Sequence, residues 1–210
     1  MFGSPGSGKG TQGLEVAQQF GLFYYSLGDH FRRLSQENSE RGRYLKRQMK
    51  KYCHLIPGKI TTKVTFSEID GRGSYLMDGF PRIVRQAKSL EGFNPPDIAI
   101  LLSVPDSVSL DRQENRKVCE ACGRVYSIAY PPFMPLVPGF CNDDNSRLIE
   151  REDAKVHVAE SRLVEYHKGT GPLEEFYQNL GKLIVIDGNK NHDEVRREIV
   201  SALESIAKRG

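Results

Sequence analysis

The glycine- and serine-rich stretch Gly3-Ser4-Pro5-Gly6-Ser7-Gly8-Lys9-Gly10-Thr11 has the residue types and spacing of a phosphate-binding loop. Its core matches the pattern Gly-x4-Gly-Lys, in which small residues let successive backbone N–H groups converge on phosphate oxygens. The lysine then reaches the outer phosphates, and a following helix adds its positive N-terminal end. Gly10 stands where the common pattern has Ser or Thr, and Thr11 follows it. The stretch predicts a P-loop that opens a helix over Gln12–Phe20.

A second group of residues has the spacing of metal ligands. Cys119-x2-Cys122 and Cys141-x2-Asp144 form two ligand pairs separated by a loop, as in tetrahedral structural zinc sites. Protein side chains fill all four positions, which leaves no open position for catalysis and predicts a structural metal. Asp143 is an alternative fourth ligand, although the x2 spacing favours Asp144, and iron is an alternative metal.

Two acidic residues fit a magnesium site near the loop. Asp78 follows an apolar, strand-like run, which is where P-loop enzymes place a carboxylate that orients magnesium through water. Asp29 is a second carboxylate that could assist it. The five histidines, His192 among them, show no spacing typical of a nucleophile or a metal ligand. We therefore assign no chemistry to them from their pattern.

Alternating segments predict the scaffold that positions these residues. Strand-like runs and segments of helical period alternate, which predicts a parallel α/β sheet. Val195, Ile199, Leu203 and Ile206 lie at helical spacing and predict a closing amphipathic helix. The stretch Cys119–Asn145 has no helical period and predicts a small inserted subdomain. The strand-like runs are Leu22–Tyr25, Ser74–Met77, Ile98–Val104 and Leu183–Ile186, and the helical segments include Leu45–Tyr52 and Val156–Tyr166.

The strand that feeds the loop is short. Only Met1 and Phe2 precede Gly3, whereas a strand of about 5–6 residues normally lies there. From the sequence we expect either that residues precede Met1 or that the loop lacks its strut and the sheet its central strand. Either loss would lower stability and catalysis.

Composition restricts the class of protein. The chain has 210 residues, 30 basic and 27 acidic side chains, and 38% hydrophobic residues, which suits one globular domain with a modest insertion. No apolar run reaches the roughly 18 residues of a membrane span, and the N-terminus does not resemble a signal peptide. We expect a cytoplasmic protein that binds neither membrane nor nucleic acid. The basic run of Lys46, Arg47, Lys50 and Lys51 is typical of a solvated helix face.

Several motifs occur together in order along the chain. They are the loop at 3–11, Ser26-Leu27-Gly28-Asp29-His30-Phe31-Arg32, Met77-Asp78-Gly79-Phe80-Pro81-Arg82 with Gln86, Leu163-Val164-Glu165-Tyr166-His167, and Thr170-Gly171-Pro172-Leu173. This combination resembles the adenylate kinases, and the cysteine cluster resembles their long-lid bacterial members. The resemblance implies an α/β fold in which a P-loop parallel sheet is flanked by helices. It also implies MgATP and AMP as substrates, their reversible conversion to two ADP, and a monomer.

The resemblance also implies domain bounds and residue roles. The P-loop core would comprise 1–25, 57–114 and 155–210, with an AMP-binding insertion at 26–56 and a zinc-stapled lid at 115–154. Lys9, Arg82, Arg116, Arg151 and Arg162 would be catalytic, since phosphoryl transfer depends on positioning and cationic stabilisation. ATP would contact Gly6, Ser7, Gly8, Lys9, Gly10, Thr11, Arg112, Arg116, Val125, Tyr126 and, through its backbone, Lys190. AMP would contact Ser26, Leu27, Arg32, His54, Leu55, Ile56, Gly79, Phe80, Pro81, Arg82, Gln86, Arg151 and Arg162, with the Gln86 amide reading the adenine edge.

Three positions depart from the pattern of the resembled family. Leu27 replaces a Thr of the AMP site, Cys53 stands where Gly is common, and Ala154 replaces the second Asp of an Arg-x-Asp-Asp lid motif that keeps Arg151 and Asp153. Leu27 and Cys53 leave open a kinase for another nucleoside monophosphate, although Gln86 argues for AMP. Ala154 and the short first strand leave open a nucleotide-binding protein without catalysis. Lys9, Asp78 and the arginines argue for catalysis.

Overall fold

A parallel sheet lies at the centre of the computed structural model, which describes residues 1–51, 58–151 and 154–207. The strands occur where the alternating pattern predicts them, with ends that differ by about one residue, and this confirms the α/β class. The parallel strands are β1 (Phe2–Gly3), β2 (Phe23–Ser26), β3 (Tyr75–Asp78), β4 (Ala99–Ser103) and β8 (Leu183–Asp187).

The strand register brings the functional motifs to one edge of this sheet. β4 pairs with β1 on one side and with β8 on the other, and β2 pairs with β3 in a second parallel unit. The Met1 amine donates a hydrogen bond of 2.6 Å to the Met77 carbonyl, which links the two units. Gly3, Ser26 and Asp78 all end their strands on the same side, and ligands of open α/β sheets bind at such carboxyl ends.

The first strand is short, as predicted, yet it is retained in the sheet. Phe2 pairs with Leu101 and Gly3 with Leu102, so the P-loop still follows directly from a strand. The Phe2 side chain is buried against the Tyr177 ring, at 6.1 Å between centroids. Burial of this one aromatic side chain gives the two-residue strand an anchor in the core, and the expected loss of the central strand is not observed.

Helices cover both faces of the sheet because side chains of β4 alternate. Ile100 and Leu102 pack into one buried cluster with residues of α1 (Lys9–Phe20) and α9 (His192–Ala207). Ala99 and Leu101 pack into another with residues of α5 (Val84–Glu91) and α8 (Gly171–Asn179). The predicted closing helix is α9, in which Val195 is buried. The helices of the core are α1 (Lys9–Phe20), α4 (Gly58–Ile69), α5 (Val84–Glu91), α6 (Asp106–Glu114), α7 (Val156–Glu165), α8 (Gly171–Asn179) and α9 (His192–Ala207).

A helical unit follows β2. It comprises α2 (Leu27–Gln36) and α3 (Glu40–Lys51), which contains the described part of the predicted segment Leu45–Tyr52. The Ser26 hydroxyl caps α2 by accepting a hydrogen bond of 3.3 Å from the Asp29 backbone N–H. A buried cluster then joins both helices to β3 through Leu27, Phe31, Leu34, Leu45, Met49 and Met77.

The stretch 115–154, here called the lid segment, departs from the α/β pattern. Its strands β5 (Arg116–Cys119), β6 (Val125–Ser127) and β7 (Leu148–Glu150) form an antiparallel sheet in the order β6-β5-β7. All residues from Cys119 to Asn145 are described, and none is helical, as the sequence predicts.

A π-helical turn at Tyr166–Thr170 continues α7 towards α8. Within the described residues, no helix is long and apolar enough to cross a bilayer.

Candidate active site and metal centre

The predicted phosphate-binding loop is closed around the Lys9 ammonium group. Lys9 is the first residue of α1, directly after Gly8, whose φ of +94° favours glycine. Its Nζ donates to the Gly3 carbonyl at 2.9 Å, the Ser4 carbonyl at 2.7 Å and the Ser7 hydroxyl at 3.1 Å. The remaining predicted loop residues, Gly6, Gly10 and Thr11, lie in the same turn and first helical turn. The loop thus holds a cation at the N-terminus of a helix, where anions bind.

Three of the predicted arginines lie near Lys9. Burial lowers the pKa of Lys9 to about 8. Asp78 opposes this shift, whereas Arg162, Arg82 and Arg116 add to it. The three arginines come from three different segments, and each lies close enough to Lys9 to lower its pKa. The pKa of Arg82 falls to about 10 because the group is buried and faces Arg162. Such a concentration of positive charge is suited to phosphate groups.

Asp78 brings a carboxylate to the start of α1. Its Oδ2 accepts a hydrogen bond of 3.4 Å from the Tyr24 hydroxyl, and a Cβ at Gly10 would lie 3.6 Å from the same oxygen. Its Oδ1 is buried and makes no hydrogen bond within the described residues. A buried carboxylate oxygen beside a phosphate-binding loop fits a role in holding the water ligands of magnesium. Burial and Asp78 raise the pKa of Tyr24, a neighbour that the sequence pattern did not single out.

Asp29 is placed differently from Asp78. Its Oδ1 is paired with the Arg32 guanidinium group three residues later on α2. Burial alone would raise the pKa of Asp29, but Arg32, with Ser26 and Arg151, outweighs it and holds that pKa below its ordinary value. In the structure Asp29 orients Arg32, and its assistance to Asp78 in a magnesium site stays a prediction.

Arg82 is fixed by neighbours on several elements. Its Nε donates to the Gly79 carbonyl at 2.8 Å, and its backbone N–H donates to Gln86 Oε1 at 2.8 Å. Its carbonyl accepts a hydrogen bond of 3.2 Å from the Thr170 hydroxyl. The backbone at this position is therefore rigid, and it aims the guanidinium group to the side of the sheet where Lys9 lies.

Gln86 is buried, and both ends of its amide are occupied. Besides accepting from Arg82, it donates from Nε2 to the Thr61 hydroxyl at 2.9 Å. In this structure the amide positions Arg82 and links it to α4, and the contact of Gln86 with an adenine edge stays a prediction. No local pattern identified Thr61, and the motif that contains Thr170 assigned no role to that residue, because both roles depend on distant partners.

The other residues predicted on the AMP side occupy three environments. Leu27 is 1% exposed in the buried cluster of the helical unit, where it packs as an apolar side chain. Gly79 has a φ of +77°, and Phe80 and Pro81 after it are buried. His54, Leu55 and Ile56 lie outside the described residues, as do Cys53 and Asp153.

The residues predicted on the ATP side also differ in placement. Arg112 donates from Nη1 to the Gly188 carbonyl at 2.9 Å and so ties α6 to the loop after β8. The Lys190 side chain is paired with Glu198 at 2.5 Å, which leaves its backbone as the part that could face a base. Val125 is exposed on β6. Tyr126 lies inside the lid segment, where its hydroxyl is 3.3 Å from Cys141 Sγ and accepts from the Asn142 N–H at 2.8 Å.

The four predicted metal ligands converge in the lid segment. One ligand atom from each of Cys119, Cys122, Cys141 and Asp144 lies within 4.8 Å of all the others. The Cys122 and Cys141 sulfurs are 3.7 Å apart, and the Asp144 carboxylate oxygens are 3.4 Å from Cys119 Sγ. Asp143 is instead paired with Arg124. Three thiolates and one carboxylate at these separations fit a tetrahedral zinc ion.

Comparisons with known proteins agree with this geometry. The family model described as Adenylate kinase matches residues 1–182. A protein named Adenylate kinase from Acetivibrio thermocellus is 34% identical over 98% of this chain and 97% of its own length. Proteins of the same name from Staphylococcus epidermidis and Staphylococcus aureus are 34% and 33% identical, each over 98% of both chains. The extent of these matches and the order of the motifs show that the chain belongs to the adenylate kinase family.

Proposed function

We propose that this chain transfers a phosphoryl group reversibly between MgATP and AMP, giving two ADP. The observation that carries the proposal is the convergence of Lys9, Asp78 and Arg82 at the carboxyl edge of the parallel sheet, with Arg116 and Arg162 close enough to shift the pKa of Lys9. Membership of the adenylate kinase family supports the same reaction.

Each cation has a distinct place in this proposal. Lys9 and the P-loop N–H groups bind the ATP phosphates, and Arg112 and Arg116 serve the same nucleotide. Arg82, Arg151 and Arg162 stabilise negative charge on the transferring group, because this reaction needs positioning and charge compensation more than covalent help. Magnesium, held through water by Asp78, supplies further neutralisation of the phosphate oxygens.

The acceptor site lies towards α2. Arg32, oriented by Asp29, and Arg82, fixed by Gln86, bind the AMP phosphate with planar guanidinium groups. Leu27 is buried in the core, so this position offers the acceptor no hydroxyl group. Gln86 can read the adenine edge only if its amide exchanges the Thr61 hydroxyl for the base.

The lid segment closes over the reacting phosphates in this proposal. Zinc held by the three cysteines and Asp144 supplies the rigidity that so small an apolar cluster cannot, since only Cys119, Tyr126 and Cys141, with Leu148 against them, form its described core. Closure excludes water, which would otherwise accept the phosphoryl group.

The test is ADP formation from MgATP with a panel of nucleoside monophosphates. We expect AMP to be the preferred acceptor and Arg82→Lys to lower kcat/KM by about 100-fold, because a lysine cannot keep a bidentate phosphate contact. Arg85→Lys, on the exposed side of α5, is the matched control and should leave the rate unchanged. Preference for another monophosphate would contradict the assignment of AMP and point to the missing hydroxyl group at Leu27, and no turnover with any acceptor would refute the proposal.

A further inference from the structure

An aromatic contact joins the lid segment to the core away from the catalytic cations. The Phe133 ring, in the loop between β6 and β7, meets the His192 ring at the start of α9. The ring centroids are 4.9 Å apart and the planes lie at 85°, the edge-to-face arrangement that aromatic pairs favour. The sequence pattern assigned no role to either residue.

Phe133 is held in place by the lid segment itself. Its carbonyl accepts a hydrogen bond of 2.9 Å from the Ser127 N–H, and its own N–H donates to the Tyr130 carbonyl at 3.1 Å. It is half-buried, whereas Met134 is 45% exposed and Leu136 is 85% exposed in the same loop. The lid segment therefore directs one apolar side chain of this loop towards the core.

His192 is held by two side chains of α1. Gln12 Nε2 donates to the His192 carbonyl at 2.8 Å, which fixes the orientation of the amide. The same nitrogen is 2.9 Å from His192 Nδ1, so Nδ1 must be the acceptor and the ring proton lies on Nε2. His192 Nε2 then donates to Glu15 Oε2 at 2.8 Å. Contacts at both ring nitrogens fix the orientation of the imidazole ring, on which Phe133 packs.

The fixed imidazole connects the lid segment to the helix that carries the P-loop. Gln12 and Glu15 belong to α1, whose first residue is Lys9. Glu15 Oε2 also accepts from Arg196 Nη1 on α9 at 3.1 Å, so the anchor spans both helices. The contact of Phe133 with His192 therefore connects the lid segment to the helix whose N-terminus would bind ATP phosphates.

We propose that Phe133 and His192 form a latch that holds the lid segment closed on the ATP side. They are positioning residues, and their role rests on the proposed function because it concerns the ATP site of that reaction. Opening the lid segment separates the two rings, so the latch stabilises the closed, ATP-bound arrangement more than the open one.

The first test is calorimetric titration of the zinc-loaded protein with MgATP in the absence of AMP. Phe133→Ala and His192→Ala are each expected to weaken binding about 2- to 10-fold, the range that one aromatic pair supports. The double variant should bind no more weakly than the weaker single variant. Leu136→Ala, an exposed apolar residue of the same loop, is the control and should bind normally. Unchanged binding by Phe133→Ala, or fully additive effects, would overturn the latch.

Comparison of KM and kcat distinguishes the latch from a purely structural role of Phe133. We expect Phe133→Ala to raise the KM for ATP while the KM for AMP and kcat stay within about twofold of the parent values. A variant that merely disturbed folding would lower the active fraction and hence kcat, leaving both KM values unchanged. That pattern would contradict the proposal.

A nucleotide-free measurement keeps the latch and the reaction distinguishable. The chain contains no Trp, so Phe133→Trp and Leu136→Trp each introduce a single fluorophore. The indole of the Phe133→Trp variant, packed on His192, should emit at shorter wavelength than that of the Leu136→Trp variant, and His192→Ala should remove the difference. If the wild-type chain made no ADP but the two Trp variants still differed in emission wavelength, the proposed reaction would be refuted and the latch would be supported. Equal emission from both variants would refute the latch alone.

Discussion

Lys9 is bound by three protein oxygens where a phosphate would bind, and burial lowers its pKa to about 8. Anionic phosphates stabilise the charged form of Lys9 and therefore raise its pKa when ATP binds. Above pH 8 the nucleotide-free protein carries an uncharged Lys9, so ATP binding must draw a proton from solution. Below that pH the proton is already present.

Because ATP binding raises the pKa of Lys9, we can predict how proton uptake depends on pH. At pH 9 most of Lys9 is uncharged in the nucleotide-free protein, so MgATP binding should take up more protons at pH 9 than at pH 7. Affinity for MgATP should accordingly fall as pH rises through about 8. Calorimetry in two buffers of different ionisation enthalpy measures the uptake. Lys9→Arg, which stays charged, should abolish it, and equal uptake in both proteins would contradict the assignment to Lys9.

At the residue scale, the sequence predicts which side chains lie together where one local motif determines their spacing. The loop around Lys9 and the cysteine pairs are set by spacing over a few residues, and the structure brings each set together. Local spacing did not predict the partners of Gln86. Its amide is satisfied by Arg82 and Thr61, and the Thr61 contact joins residues 25 positions apart, which no local pattern reveals.

At the scale of elements, the lid segment depends on two turns that bring four ligands together. Cys119 and Cys122 lie at the turn between β5 and β6, where the Cys122 N–H donates to Cys119 Sγ at 3.3 Å. The Asp143 N–H is 3.5 Å from Cys141 Sγ in the second turn. Backbone donors to sulfur stabilise thiolates, so both turns are prepared to ligate a cation.

The adjacent acids Asp143 and Asp144 provide a matched test of this element. Asp144→Asn should lower zinc affinity at least about 10-fold, since it removes one of four anionic ligands. Asp143→Asn should keep the metal, because Asp143 is paired with Arg124 outside the cluster. Zinc content after dialysis against a chelator measures the difference, and zinc removal should lower the Tm by about 5–10 °C. Equal zinc loss from the two variants would contradict the assignment of Asp144.

The scaffold elements were predictable because hydrophobic periodicity is local. The run Ile98–Val104 becomes β4 (Ala99–Ser103), and its alternation accounts for helices on both faces. The retention of β1 was not predictable. It depends on Phe2 packing against Tyr177, which lies at the other end of the chain.

At the scale of the whole molecule, three regions meet at one edge of the sheet. The P-loop follows β1, the side proposed to bind the acceptor begins where β2 ends at Ser26, and the lid segment leaves the core after α6. Arg82 after β3, Arg116 at the start of β5 and Arg162 on α7 all lie close enough to Lys9 to lower its pKa. The relative placement of these regions, including the contact of Phe133 with His192, is a tertiary property that sequence spacing did not contain.

The measurement that tests the central claim most directly is ³¹P nuclear magnetic resonance of the zinc-loaded chain with magnesium, started once from ATP and AMP and once from ADP alone. We predict that both mixtures reach the same proportions of ATP, ADP and AMP, with no free phosphate, because the closed site excludes water from the reaction. If the folded, zinc-loaded chain left both mixtures unchanged, or released free phosphate instead of ADP, the proposed transfer between ATP and AMP would be contradicted.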